Sequence, residues 1–65
     1  MSDQIHAETG ILSERHGKLF LNLDAGGDCE VKAWSVADRY VGTRVHIVGR
    51  LGPGNVLSAQ SIKQL

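Results

Sequence analysis

The stretch that most constrains this chain is Gly42-Thr-Arg-Val-His-Ile-Val-Gly-Arg-Leu-Gly-Pro-Gly-Asn-Val-Leu-Ser-Ala-Gln-Ser-Ile62. Val45, Ile47 and Leu51 alternate with Arg44, His46, Val48 and Arg50. That period of two is what a strand with one buried face requires. Gly52-Pro53-Gly54-Asn55 follows as a tight turn, because proline presets φ and glycine accepts positive values. Asn55 to Ile62 then returns as a second strand that starts with Val56-Leu57. In the hairpin so formed, Val45, Ile47, Leu57 and Ile62 face inward, and Arg44, His46 and Arg50 make the richest basic stripe of the chain. Such a hairpin specifies a fold and announces no chemistry.

The preceding residues supply strands for it to pair with. From Ile5 to Glu14, Ile5, Ala7, Thr9 and Ile11 alternate with His6, Glu8, Gly10 and Leu12, with a break at Ile11-Leu12. Gly10 beside that break predicts a bulge or sharp bend of the kind a barrel needs. Met1 to Gln4 is expected to be a frayed polar start. Arg15-His16-Gly17 is a turn. Lys18 to Leu23 places Leu19, Leu21 and Leu23 on one face and Lys18, Phe20 and Asn22 on the other. Asp24-Ala-Gly-Gly-Asp28 is the next turn. The third strand, Cys29 to Trp34, points Cys29, Val31 and Ala33 inward and Glu30, Lys32 and Trp34 outward. Ser35 reads as an N-cap to one or two helical turns through Val41, ended by Gly42. Val36 and Tyr40, four apart, would share a face of that helix and plug one end of a barrel.

The expected fold is therefore all-β: three strands, a short helical turn, then two strands. A chain of 65 residues makes one domain, residues 1–65. A domain of that size buries only about 60% of its unfolded surface and needs close packing or association to be stable. Cys29 is the sole cysteine, which excludes an intrachain disulfide and a cysteine-rich zinc site. A single thiol and no apolar leader point to a cytoplasmic protein, and no run approaches the roughly 20 apolar residues of a membrane span.

Seven basic and seven acidic side chains cancel. Residues 1–31 hold six acids and two bases, a balance of −4, while residues 32–65 hold one acid and five bases, a balance of +4. In a barrel the two halves are expected to interleave, which would disperse that difference.

The strand order, the run Tyr40-Val41-Gly42-Thr43-Arg44-Val45-His46-Ile47-Val48-Gly49 and the closing Val56-Leu57…Ile62 strand resemble an OB-fold. They are similar to small single-domain OB-like proteins of bacteria, over nearly the whole chain. The resemblance implies a five-stranded OB-like barrel, with an SH3-like small barrel as the alternative on account of the short helix. OB-folds bind oligonucleotides on the face of strands two and three, between the first and fourth loops. That implies a site here of Phe20, Lys32 and Trp34, with Arg44, His46 and Arg50 extending its positive surface. Aromatic rings there would stack bases while cations follow phosphates.

Two functional expectations follow. One is a non-catalytic module binding single-stranded DNA or RNA through that aromatic and basic face. The other is a protein-interaction or self-assembly module, a homo-oligomer or a complex, using the same face. No enzyme, cofactor or metal is expected. His6, His16 and His46 are too scattered for a ligand motif, and Cys29 falls on the inward register of its strand. Asp24 to Asp28 lacks the ligand ladder of a calcium loop and the Lys-Ser/Thr end of a phosphate loop.

Overall fold

The computed structural model describes residues 4–65, and the side chains of residues 35–37 lie outside that description. Strand β1 spans Gln4–Arg15, β2 Lys18–Leu23, β3 Asp28–Lys32, β4 Arg44–Gly52 and β5 Val56–Gln64. They close a ring in the order β1-β2-β3-β5-β4. Every neighbouring pair is antiparallel except β3 and β5, which run parallel. This is the all-β, five-stranded, OB-like barrel expected from the sequence.

The inner face follows the alternation of apolar residues. Leu12, Leu21, Val45, Ile47 and Leu57 are fully buried, with Cys29 and Val31 beside them. Full burial of each such side chain is worth about 1.5–3 kcal/mol. Leu19, Leu23, Ala33, Leu51, Ala59 and Ile62 pack around this centre. Tyr40 and Val41 do the same from the connection between β3 and β4. That connection is a 3-10 helix, Ser35–Tyr40, capped by the extended Trp34 rather than by Ser35. The expected pairing of Val36 with Tyr40 falls outside the described residues, and of the frayed start expected over Met1 to Gln4 only Gln4 is described, where it opens β1 opposite Leu51 instead of fraying. Past the helix, the Gly42 N–H donates to the Leu12 carbonyl at 2.7 Å and ties the connection to β1.

Closure depends on β1 serving two neighbours. Gln4 to Ile11 pairs with β4, while Gly10 to Arg15 pairs with β2. At Gly10 the strand crowds its partner so closely that a Cβ would lie 2.0 Å from the Asn22 carbonyl oxygen. Gly49 does the same on β4, where a Cβ would lie 2.1 Å from the Ser58 carbonyl oxygen. The bend expected at Gly10 is thus a close approach of backbones. Ile11 simply faces outward and Leu12 inward, so the alternation does not break there. The bulge lies elsewhere: between Val48–Ser61 and Gly49–Ala59 the register slips, leaving Gln60 as the extra residue of β5.

The ring order also decides the charge distribution. β1, β2 and β3 are contiguous, and so are β5 and β4. The acidic and basic halves of the sequence consequently occupy separate arcs rather than interleaving. Asp28 and Glu30 lie on β3 and Asp24 in the turn before it, alongside the cations Lys18 and Lys32, while Arg44, Arg50 and Lys63 lie on β4 and β5 and Arg44 reaches across to Asp24.

Candidate functional site

The hairpin joining β1 to β2 sets the register of the aromatic face. His16 and Gly17 take φ of 53° and 77°, the positive pair that a two-residue type I′ turn needs. Arg15 therefore stands opposite Lys18, and Ser13 opposite Phe20. On the other side of β2, Phe20 stands opposite Glu30. The β2–β3 ladder ends at Leu19–Val31, so Lys18 and Lys32 come next to each other one step beyond it. Lys32 in turn stands opposite Ser58, and Ser58 opposite Arg50. One cross-strand row thus reads Arg15, Lys18, Lys32, Ser58, Arg50. With strands about 4.8 Å apart, its cations are spaced roughly 5–10 Å from one another along a line that crosses the strands.

Two aromatic side chains border this row. The Phe20 ring is half-buried, and the Arg15 guanidinium lies over it at 4.3 Å from the centroid. Arg15 is held there by Asp28, whose Oδ2 accepts from its Nη2 at 3.1 Å. Phe20 and Arg15 together form a flat, cationic platform of the kind on which nucleobases stack. Trp34 is 42% exposed, just past the end of β3. It lines an open groove of about 360 Å³ with Lys18, Leu19, Lys32, Glu30 and Asp38. That volume sits at the low end for ligand sites, roughly 300–1,000 Å³, and the mixed charges are unlike the apolar lining of an enclosed cofactor pocket. An adjacent depression is lined by Arg15, His16, Lys18 and Phe20.

Of the six residues singled out from the sequence, the structure groups four. Phe20, Lys32 and Trp34 share the β2–β3 side, and Arg50 joins them through Ser58. Arg44 and His46 do not. Arg44 lies at the opposite end of the barrel face, across from Ile11, and donates through Nε and Nη2 to the Asp24 carboxylate. That hydrogen bond, more than the bare attraction of charges, holds the Asp24 carboxyl below its ordinary value and raises the Arg44 guanidinium. The His46 Nδ1 lies 2.9 Å from the Thr9 hydroxyl on β1. What separates both from Arg50, on the same strand, is distance along β4, since Arg44 and His46 lie six and four residues before it.

Arg15 and Lys18 are the site residues that sequence reading missed. Arg15 was read as part of a turn, and Lys18 was placed on the face of β2 that carries Phe20 without being counted in the site. The two-residue hairpin was the available signal for Arg15, since it sets Arg15 opposite Lys18 and so beside Phe20.

Cys29 is buried, and desolvation, helped by the negative charges of Glu8 and Asp28, pushes its thiol up. Among the described residues, no three His, Cys, Asp or Glu side chains come together as a metal site. No helix among them is long and apolar enough to cross a membrane. Comparison with protein-family models, curated proteins and solved structures returned no match.

Proposed function

We propose that this protein is a non-catalytic, cytoplasmic module that binds single-stranded nucleic acid across β2 and β3. The observation that carries the reading is the row Arg15, Lys18, Lys32, Arg50 running beside two aromatic groups, the exposed Trp34 and the Arg15-covered Phe20. A single strand laid across the sheet would set phosphates against the cations and a base against Trp34. Every base has a π-face, so such a site tolerates many sequences. Neither Glu30 nor Asp38 forbids it, but both limit affinity, and binding is expected to be strongest at low salt.

Titration of Trp34 fluorescence with oligothymidylate and oligouridylate tests the reading. Binding should quench the emission, and Trp34→Ala should weaken it by the roughly 1–3 kcal/mol of one stacked base, measured with a labelled oligonucleotide. About three phosphate contacts, from Lys18, Lys32 and Arg50, predict that log K falls with log salt at a slope near −2. An emission unchanged by either oligonucleotide at micromolar concentration would remove the basis for the proposal. If the same face instead joins two copies, light scattering will show an oligomer that Trp34→Ala dissociates.

A further inference from the structure

We propose that the free edge of β1 over Gln4 to Glu8 pairs with the same edge of a second copy, joining two barrels through an antiparallel ladder about a two-fold axis. It is independent of the nucleic-acid reading. β2 covers only Gly10 to Arg15 on one edge of β1, while β4 covers Gln4 to Ile11 on the other. Among the described residues, no strand pairs with the remaining edge of Gln4 to Glu8.

Two hydrogen bonds fix which backbone groups lie on that edge. The Leu12 N–H donates to the Thr43 carbonyl at 3.1 Å, on the β4 side. The Asp24 N–H donates to the Thr9 carbonyl at 3.0 Å, on the β2 side. Along a strand, the N–H and C=O of one residue point to one edge and those of the next residue to the other. Ile5 and Ala7 therefore turn both groups to the same side as Thr9, where no described strand receives them. Both residues are exposed, Ile5 at 57%. A row of unpaired N–H and C=O groups is a template for another strand.

The sequence of the edge selects a second copy as that strand. An antiparallel register centred on His6 sets Ile5 opposite Ala7 of the second copy and Ala7 opposite its Ile5. That register joins every N–H and C=O that these two residues present. A register centred on Ala7 would bring Ile5 to Thr9 of the second copy, whose carbonyl already accepts from Asp24. With His6 central, Gln4 stands opposite Glu8 of the other copy, so no carboxylate faces a carboxylate. His6 meets its counterpart, each 4.0 Å from its own Glu8 carboxylate. Ile5 lies next to Ala7 of the second copy and extends the apolar row that Ala7 makes with Val48. Apolar cross-strand neighbours stabilise a ladder. The chain's seven acidic and seven basic side chains cancel, so two copies approach without net repulsion. Pairing about a two-fold axis uses the same edge on both copies and stops at two.

Sedimentation velocity of the full chain, together with amide exchange followed by NMR, tests the proposal. A monomer–dimer equilibrium with Kd below about 200 µM is expected for so short a ladder. The Ile5 and Ala7 amides should exchange more slowly as protein concentration rises. Ala7→Pro removes an N–H from the free edge and none from the β4 ladder, so the barrel should stay folded while the dimer weakens at least about tenfold. Gln4→Glu sets carboxylate against carboxylate and should weaken the dimer about threefold, whereas Gln4→Lys should tighten it about threefold. A retained circular-dichroism melt shows that each variant is folded, and Trp34→Ala should leave the dimer unchanged. The proposal is overturned if the wild type is still a monomer at about 1 mM. A dimer that Trp34→Ala dissociates and Gln4→Glu does not weaken overturns it too, as does one whose Ile5 and Ala7 amides exchange no more slowly than in the monomer. It is equally overturned if those amides are protected only when an unrelated Thr-Val repeat peptide is added, which would make the edge a receptor for foreign strands.

Discussion

Substituting Gly49 by alanine tests the packing that closes the barrel. A methyl group there would meet the Ser58 carbonyl oxygen at 2.1 Å, where ordinary contact begins near 3.4 Å. The shortfall is 1.3 Å, and the obstructing atom belongs to backbone, which cannot rotate aside. Overpacking of a well-filled site costs about 1–3 kcal/mol, and a clash with backbone belongs at the upper end. At roughly 0.05–0.15 kcal/mol per residue, a domain of this length has only about 3–10 kcal/mol in total. Gly49→Ala should thus remove between a third and all of it. Each kcal/mol moves the Tm of so small a domain by about 4–8 °C, so a fall of roughly 12–24 °C is expected in a circular-dichroism melt. Gly52→Ala is the matched control on the same strand. Its φ of −104° suits any residue, and the nearest atom to an added Cβ is the Val56 carbonyl oxygen at 3.8 Å. That change should be neutral or stabilise by up to about 1 kcal/mol through the unfolded chain. If Gly49→Ala melts within about 4 °C of wild type, or the two variants shift alike, β4 does not approach β5 as described.

Three further outcomes are expected. His16→Asn should stabilise by about 0.5 kcal/mol, recovering part of the roughly 1–2 kcal/mol that a left-handed residue costs, since Asn-Gly suits this turn best; a lower Tm would contradict the turn geometry. The Cys29 thiol, buried and raised above its ordinary value, should react with a disulfide reagent at pH 8 at least about tenfold more slowly than in urea. Because the folded state holds that proton to higher pH than the unfolded state, stability should also decline as pH rises past the unfolded thiol's value, and Cys29→Ala should abolish that decline. Asp24, held low by Arg44, should titrate in NMR below its ordinary 3.8 and move up toward it in Arg44→Ala. The ion pair is then intact above the unfolded carboxyl's value and is lost as pH falls through the folded one. An unchanged midpoint would mean that the pair does not form in solution.

The interior of the barrel was legible because alternation is a local property. Leu21, Cys29, Val31, Val45, Ile47 and Leu57 each announce their side by the polarity of the residues next to them. Ring order is not local. Nothing in the sequence of β1 says that its first half pairs with β4 and its second with β2, nor that β5 lies beside β3. For that reason the separation of acidic and basic arcs was not foreseen, and Arg44 and His46 were grouped with aromatic residues that lie on another side. Gly10 was noticed as a bend, but its reason, a neighbouring carbonyl in place of a Cβ, comes from a partner 12 residues away. Phe20 was correctly placed outward. The guanidinium covering it follows from hairpin register, which the turn residues carry but an alternation pattern does not use.

The central claim is that single strands bind along the row from Arg15 and Lys18 through Lys32 to Arg50, beside Phe20 and Trp34, rather than at the Arg44, His46 and Lys63 end of β4 and β5. Mapping amide shifts in a ¹⁵N-labelled sample titrated with oligothymidylate tests it most directly, because each strand reports separately. The account predicts progressive shifts at Arg15, Lys18, Phe20, Lys32 and the Trp34 indole N–H, with Arg44, His46 and Lys63 unmoved. Shifts concentrated on Arg44, His46 and Lys63, or none at all at low salt, would contradict it.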